Sequence, residues 1–405
     1  MADDVSALGE RLWTMRSVDD LCAVVTSGGT PSRSNPDFFN PGTVPWIKTG
    51  DLMDWYITKY DEYISDSGVV NSSAKLLPAD TILLAMYGAT VGRLGILSEP
   101  ATCNQAACAM VVDPDAADPR WLFYVLLNDR RRIASEANGA AQQNLSARAI
   151  KAFRYLTPAL DEQRAISEVL GALDDKIAAN DQLAAMLAML AAAIFDQAIS
   201  TSSLEQSIAE IAEFVGRGIA PDYSDSGDTI TVLNQKCIRD QVVLLSPARR
   251  TLRVCARTEK ILLPNDVLIN STGQGTLGRV ARWTYDCEAT VDSHISIVRF
   301  DDRFVDPICG GYGILRLQSL IEQMGQGSTG QTELSRVELA KVRLRLPERD
   351  VQLELGHRLG ALAELQDAQR SQNNILVEMR NTLLPQLMSG KIRVRDVEKR
   401  VEEVL

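Results

Sequence analysis

From Leu160 onward the apolar positions step alternately by four and by three. Ile166, Leu170, Leu173, Ile177, Asn180, Ala184, Leu187, Ala191, Ile194 and Ala198 fall on one stripe, which is the seam of a heptad-patterned helix with one polar member. A second stripe of the same spacing holds Leu355, Leu359, Leu362, Gln366, Gln369, Asn373, Leu376, Arg380, Leu383 and Leu387. Its polar middle either sets register or marks where the helices part and meet another protein. A helix of about 40 residues spans roughly 60 Å, so two in one chain can pack side by side as a spacer. Asp161, just after Pro158, is placed to cap the first, and Pro385 to end or kink the second.

Elsewhere the pattern is that of short strands and turns. Thr81–Ala85 and Val267–Asn270 read as buried strands, each after a Pro-x-Asp turn. Leu94–Leu97 and Val280–Trp283 follow as partners, then Ala106–Val112 and Ile295–Phe300. Helices are expected over 119–137 and 307–324.

The chain is written twice. With a shift of roughly 186–190 positions, Ser17–Leu21 aligns with Ser207–Ile211, Leu76–Asp80 with Leu262–Asp266, and Thr90–Arg93 with Thr276–Arg279. Leu145-Ser146 aligns with Leu334-Ser335, Pro158 with Pro347, and Gln163 with Gln352, while Leu170–Leu173 recurs letter for letter as Leu359–Leu362. A period this long means a duplicated domain rather than a solenoid. The expected organisation is an α+β segment over 1–159, a long helix over 160–204, a second α+β segment over 205–347 and a second helix with a tail over 348–405. Packed as an antiparallel coiled coil, the helices would relate the two α+β domains by a pseudo-twofold and hold them at a set separation. Because the two domains differ in sequence, two half-sites read by them should differ.

Composition narrows the classes. Apolar residues make up 45% and charged residues 23%, ordinary for a globular chain. No uninterrupted apolar run approaches the length of a membrane span, and the acidic start MADDVSALGERLW has no apolar signal core. Seven cysteines without a CxxC pair predict reduced thiols, no zinc site and a cytoplasmic location. Two histidines, His294 and His357, leave little room for histidine-dependent catalysis. The net charge of −11 argues against a simple basic nucleic-acid binder. An acidic chain can still bind DNA if partners neutralise most of the phosphates. Basic clusters do occur, at Arg130–Arg132 and at Arg249, Arg250, Arg253, Arg257 and Lys260.

The whole chain resembles the DNA-specificity subunits of type I restriction–modification systems. The resemblance is carried by Gly88-Ala-Thr-Val-Gly-Arg93 and Gly275-Thr-Leu-Gly-Arg279, by the Leu-Ser pairs, by Pro158-x-x-x-Glu162-Gln163, and by the tail Leu383–Ile392. One departure is Val351 where Glu162 stands in the first half. The resemblance implies two target recognition domains, each reading half of a bipartite asymmetric site. It implies helices that set the spacing and dock two modification subunits. S-adenosylmethionine, ATP and Mg are then expected on the modification and restriction subunits, with adenine N6 as the methylated atom. This chain is expected to hold no catalytic residue, metal or cofactor.

On that reading the DNA contacts are polar loop residues. In the first half these are Lys48, Tyr87, Asn104, Gln105, Gln142, Gln143 and Asn144. In the second they are Asn234, Gln235, Lys236, Ser271, Thr272, Gln274, Ser293, His294, Ser328, Thr329 and Gln331. Thr90, Arg93, Thr276 and Arg279 belong to the loop shared by both halves, which suits phosphate contact or structure better than base reading. Gly273-x-Gly275-x-x-Gly278 formally matches a dinucleotide fingerprint, but a strand-like Arg279–Trp283 follows where a helix is required, so a tight turn is expected. Asn35-Pro-Asp-Phe-Phe39 reads as turn chemistry, and no GxxxxGK[ST] occurs. A self-sufficient DNA methyltransferase or nuclease is the alternative, disfavoured because its motifs are missing. A coiled-coil adaptor without a DNA role is a third reading.

Overall fold

The computed structural model describes residues 13–139, 145–324, 333–397 and 401. The chain forms two compact units, residues 1–179 with 372–405, and residues 180–371. Each unit combines one mixed segment with part of both long helices.

In the first unit a five-stranded sheet runs Cys22–Ser27, Ala107–Val112, Ile82–Ala85, Leu94–Leu97, Tyr56–Ile57, and a three-stranded sheet runs Tyr63–Ile64, Val44–Ile47, Thr102–Cys103. In the second unit a four-stranded sheet runs Ala212–Arg217, Ile295–Phe300, Val267–Asn270, Val280–Arg282. Its three-stranded companion runs Arg249–Leu252, Thr229–Leu233, Ala289–Val291. Both sheets of each unit repeat the same plan, so the sequence repeat is a repeat of architecture. The central strands Ile82–Ala85 and Val267–Asn270 are buried at every residue, which is why they read as apolar runs rather than alternations. The expected helices are each broken in two: Pro119–Asn128 with Arg130–Gly139, and Pro307–Leu315 with Gln318–Met324.

The repeat positions carry capping chemistry. Ser17 with Asp20 and Ser207 with Glu210 form capping boxes, and Ser146 and Ser335 accept from the N3 amides of short helices. The matched glutamines clasp each head to its long helix. Gln163 Oε1 accepts from the Asp118 amide at 2.9 Å while its Nε2 donates to the Pro158 carbonyl at 3.0 Å. Gln352 makes the same two bonds to Asp306 and Pro347, at 2.8 Å each. Both glutamines are buried. Replacing either with alanine strands a buried donor and acceptor and is expected to cost about 1–3 kcal/mol, read as a lower urea midpoint. An unchanged midpoint would show the clasps to be dispensable.

The long helices are Leu160–Thr201 and Arg349–Met388. Within the first unit Ile166, Leu170 and Leu173 share a core with Leu376, Leu383 and Leu387, and Asn373 Nδ2 donates to the Ile177 carbonyl at 3.1 Å. Arg380 pairs with Asp174, whose carboxylate also accepts from the Tyr124 hydroxyl at 2.6 Å. Burial pushes the Asp174 carboxyl up, and Arg380 opposes that shift. Within the second unit Ala191, Phe195 and Ile199 share a core with Leu355 and Leu359, and Gln366 Nε2 donates to the Ala184 carbonyl at 2.9 Å. In each unit the two helices run antiparallel. The buried seam shifts from the expected Ile194 and Ala198 to Phe195 and Ile199, because the large ring fills the head-facing gap against Tyr312 at 5.9 Å.

Two expectations at the helix ends are corrected. Asp161 lies inside the first turn, where its charge faces the positive end of the helix, and is not the cap residue. Pro385 sits within a helix that runs on to Met388, since the one bond its missing N–H removes falls close to the helix end. A third correction concerns hydropathy. The first long helix is long and apolar enough by composition alone to cross a membrane. The unbroken apolar run from Leu183 to Phe195 raises its mean hydropathy but is shorter than a membrane span, and the buried side of the helix packs on protein.

Candidate nucleic-acid interface

The site begins with parallel pairing. Trp46 and Ile47 pair with Thr102 and Cys103 in the first unit, and Thr231–Leu233 with Ala289–Val291 in the second. Parallel strands end on the same side. In the first unit the loops that start at Lys48 and Asn104 therefore emerge side by side on its rim, and in the second unit those that start at Asn234 and Asp292 do so on its own rim.

In the second unit this rim is a hydrogen-bonded web. Gln235 Nε2 donates to the Thr272 carbonyl at 2.6 Å and to its hydroxyl at 2.7 Å. The Thr272 hydroxyl lies 2.8 Å from His294 Nδ1. The His294 amide donates to Asp292 Oδ1 at 2.9 Å. Burial pushes the Asp292 carboxyl up, and that amide bond works against the shift. Asn234 caps its own loop, accepting from the Lys236 amide at 2.9 Å. Lys236, Gln274, Ser293 and His294 are exposed. Arg217, absent from the sequence-level candidates, donates to the Ser293 carbonyl at 3.1 Å and to Glu333 at 2.9 Å.

Several candidates turn out to serve the fold. Ser271 is fully buried, its hydroxyl 2.6 Å from that of Ser296, so it belongs to the core and not to the rim. The Thr276 hydroxyl donates to the Gly273 carbonyl at 3.4 Å, and Arg279 Nη2 to the Gly275 carbonyl at 3.0 Å, both inside the turn. The glycine run joins strand Val267–Asn270 to strand Val280–Arg282 with no helix after it, so no dinucleotide cradle is built. Gly278, at φ +82, would drive a Cβ to 2.5 Å from the Glu322 Cα, which explains its glycine.

In the first unit Lys48 Nζ pairs with Glu62 at 2.9 Å and Arg33 pairs with the same carboxylate at 2.6 Å. The Lys48 hydrogen bond holds the Glu62 carboxyl below its usual range, and Glu62 raises Lys48 in turn. Arg33, also missed from sequence, rests 4.7 Å over Phe39 and 5.2 Å over Trp46. Gln105 is bonded to the Thr30 hydroxyl. Asn104 Oδ1 accepts from the Ala106 amide at 3.1 Å. Tyr87 packs on the core, and the Thr90 carbonyl accepts from the Arg93 amide at 2.9 Å. Arg93 lines a cleft of mixed charge with Asp51, Asp54, Asp61, Lys59 and Arg130. Arg130 is committed to Asp54 and the Gly92 carbonyl, and Arg132 to Asp129 and Glu136, so two of the three clustered arginines work within the unit.

Gln142, Gln143, Asn144, Ser328, Thr329 and Gln331 lie outside the described residues. The residues that follow those stretches join the rims at matching places: the Leu145 amide donates to the Met86 carbonyl at 3.0 Å and the Leu334 amide to the Ser271 carbonyl at 2.9 Å. Among the described residues no group of three or more His, Cys, Asp or Glu side chains could hold a metal ion.

One scaffold is used twice, each time with a different set of polar side chains at the strand ends. Residues 10–188 match the model of the type I restriction modification DNA specificity domain. The chain is 25% identical over 152 residues to the EcoR124I/EcoR124II specificity subunit of Escherichia coli, a match covering 36% of this chain and 37% of that one. It is 27% identical over 173 residues to the MjaIX specificity subunit of Methanocaldococcus jannaschii, covering 41% and 38%. These matches thus span less than two fifths of either relative's length. The crystal structure of a type I restriction–modification S subunit from M. genitalium shares the fold, with a TM-score of 0.62 at 17% identity, covering 95% of this chain and 98% of that one.

Proposed function

We propose that this chain is the DNA-reading subunit of a type I restriction–modification complex and does no chemistry itself. Residues 1–159 and 205–347 act as target recognition domains, each reading one half of a bipartite asymmetric site. The long helices set the gap between the half-sites and dock two modification subunits, which carry S-adenosylmethionine, with ATP and Mg on the restriction subunits. The observation that carries this reading is the repeated rim. Its parallel strand pairing recurs in both units, while Lys48, Asn104 and Gln105 in one are replaced by Asn234, Gln235, Lys236 and His294 in the other. Exposed Leu183, Met186, Met189 and Leu190 on the first long helix support a protein partner there, because an apolar patch in water marks an interaction surface.

The test is sequencing of N6-methyladenine in a host carrying the chain and its modification subunit. A split motif with a fixed gap should appear, and deleting the chain should abolish it. The variant K236A/H294A should relax one half of that motif by about 1–3 kcal/mol of discrimination per lost contact and leave the other half and the gap alone. Methylation that persists without the chain, or that the purified chain performs alone, would sink the reading.

A further inference from the structure

Arg249 and Tyr223 lie beyond the rim web. The strand Arg249–Leu252 is the outer strand of the second unit's three-stranded sheet, with Arg249 opposite Val232. That places Arg249 at the end of the sheet from which the Asn234–Lys236 loop departs. Asn234 Nδ2 ties this corner together by donating to the Pro247 carbonyl at 2.6 Å. The Arg249 guanidinium lies 3.5 Å from the centroid of the Tyr223 ring, and a bridge from Tyr223 to Thr251 holds that ring against the same strand. Both side chains are exposed.

Four other arginines of this unit are already engaged. Arg250 donates to the Thr229 carbonyl and hydroxyl, Arg253 pairs with Glu288, Arg217 with Glu333 and Arg299 with Asp266. Among the described residues Arg249 forms no ion pair; its partner is the ring face. A guanidinium carbon 3.5 Å from a ring centroid is at the separation of two stacked planes, and stacking leaves the N–H edge open. That is the arrangement a bidentate oxyanion needs. Its place on the outer strand, beside rather than within the Gln235–Thr272–His294 web, suits the sugar-phosphate backbone that borders a groove, and such contacts position a protein without reading sequence.

We propose that Arg249, held flat by Tyr223, grips a backbone phosphate of duplex DNA beside the half-site of the second unit; this rests on the DNA-reading function proposed above. The test is fluorescence anisotropy of the full chain with its modification subunits on a labelled mixed-sequence duplex over a range of salt concentrations. R249A should bind several-fold more weakly at low salt. The slope of log K against log salt should fall by about 0.9, and the ranking of different duplex sequences should be unchanged. R249K should restore the slope but not the full affinity, because the ammonium lacks the fork, and Y223A should fall between. R249Q provides a second neutral variant, and both should melt like the wild type, since the side chain is exposed. A wild-type slope and affinity in R249A would overturn the inference. So would an altered sequence ranking at an unchanged slope, which would make Arg249 a base reader. A wild-type complex that binds no duplex would be a separate result, the failure of the DNA-reading function itself.

Discussion

Gly218→Ala is expected to unseat the rim of the second unit, and Gly28→Ala that of the first, each at a cost of about 3 kcal/mol, the upper end of overpacking penalties. A Cβ at Gly218 would stand 2.1 Å from the Val291 carbonyl oxygen and 2.3 Å from that of Asp292; at Gly28 it would stand 2.2 Å and 2.4 Å from those of Cys103 and Asn104. These are backbone atoms of the buried strands that end at the rim, so no side chain can rotate away to make room. The approach is close because the chain crosses there from one sheet to the other. The Gly28 amide bonds Ala107 while the Gly29 amide bonds Cys103, and the Gly218 amide bonds Ile295 while the Ile219 amide bonds Val291. Hydrogen exchange resolved by unit is the measurement, with amides near the altered glycine losing protection and those of the other unit keeping it. In the same assay as the split motif, G218A should damage one half-site and G28A the other. Wild-type protection in either variant would show that the crossing can relax.

Arg299→Ala is expected to cost about 3–5 kcal/mol, the usual loss when one partner of a buried ion pair is removed. Asp266 is buried and takes a two-pronged grip from Arg299, at 2.9 Å to Oδ1 and 2.7 Å to Oδ2. Burial pushes the Asp266 carboxyl up, while Arg299 and the Leu263 amide pull it back. Without the arginine the folded-state carboxyl titrates higher still. A raised folded-state value favours the folded protein at low pH and loses that benefit as pH rises, so R299A should be weakest relative to wild type at neutral pH and recover on acidification. The double replacement D266L/R299M removes both charges and should regain most of the loss. Trp283, whose amide donates to the Asp266 carbonyl at 2.8 Å, gives a fluorescent reporter next to the pair. A pH-independent loss would mean that the carboxylate finds another partner.

Much of the architecture was legible because it rests on local rules. The heptad stripes forecast two long helices and about half of their buried positions, among them Ile166, Leu170, Leu173, Leu355, Leu359 and Leu376. The apolar runs at Ile82–Ala85 and Val267–Asn270 marked the central strands. The matched Ser17 and Ser207, and Ser146 and Ser335, proved to be capping residues, whose chemistry acts within three or four positions of the chain. The repeat itself announced one scaffold used twice.

What a polar residue does with its side chain depends on neighbours far along the chain, and only the tertiary structure decided that. Ser271 and Gln274 look alike as polar loop residues, yet Ser271 is sealed against Ser296 while Gln274 stands in solvent. Asp80 and Asp266 fall in matching Pro-x-Asp turns, yet Asp80 is exposed and accepts from the Tyr56 hydroxyl at 2.8 Å, while Asp266 is buried around Arg299. Arg130 and Arg132 read as a basic patch, but carboxylates from the folded chain already claim them. Arg249 meets a ring, whereas Arg253 meets Glu288 and Arg250 the Thr229 carbonyl and hydroxyl. Backbone geometry and apolar spacing are written in short-range periodicity; which charges remain free to meet DNA is set by contacts between residues tens of positions apart, and no period in the sequence encodes those.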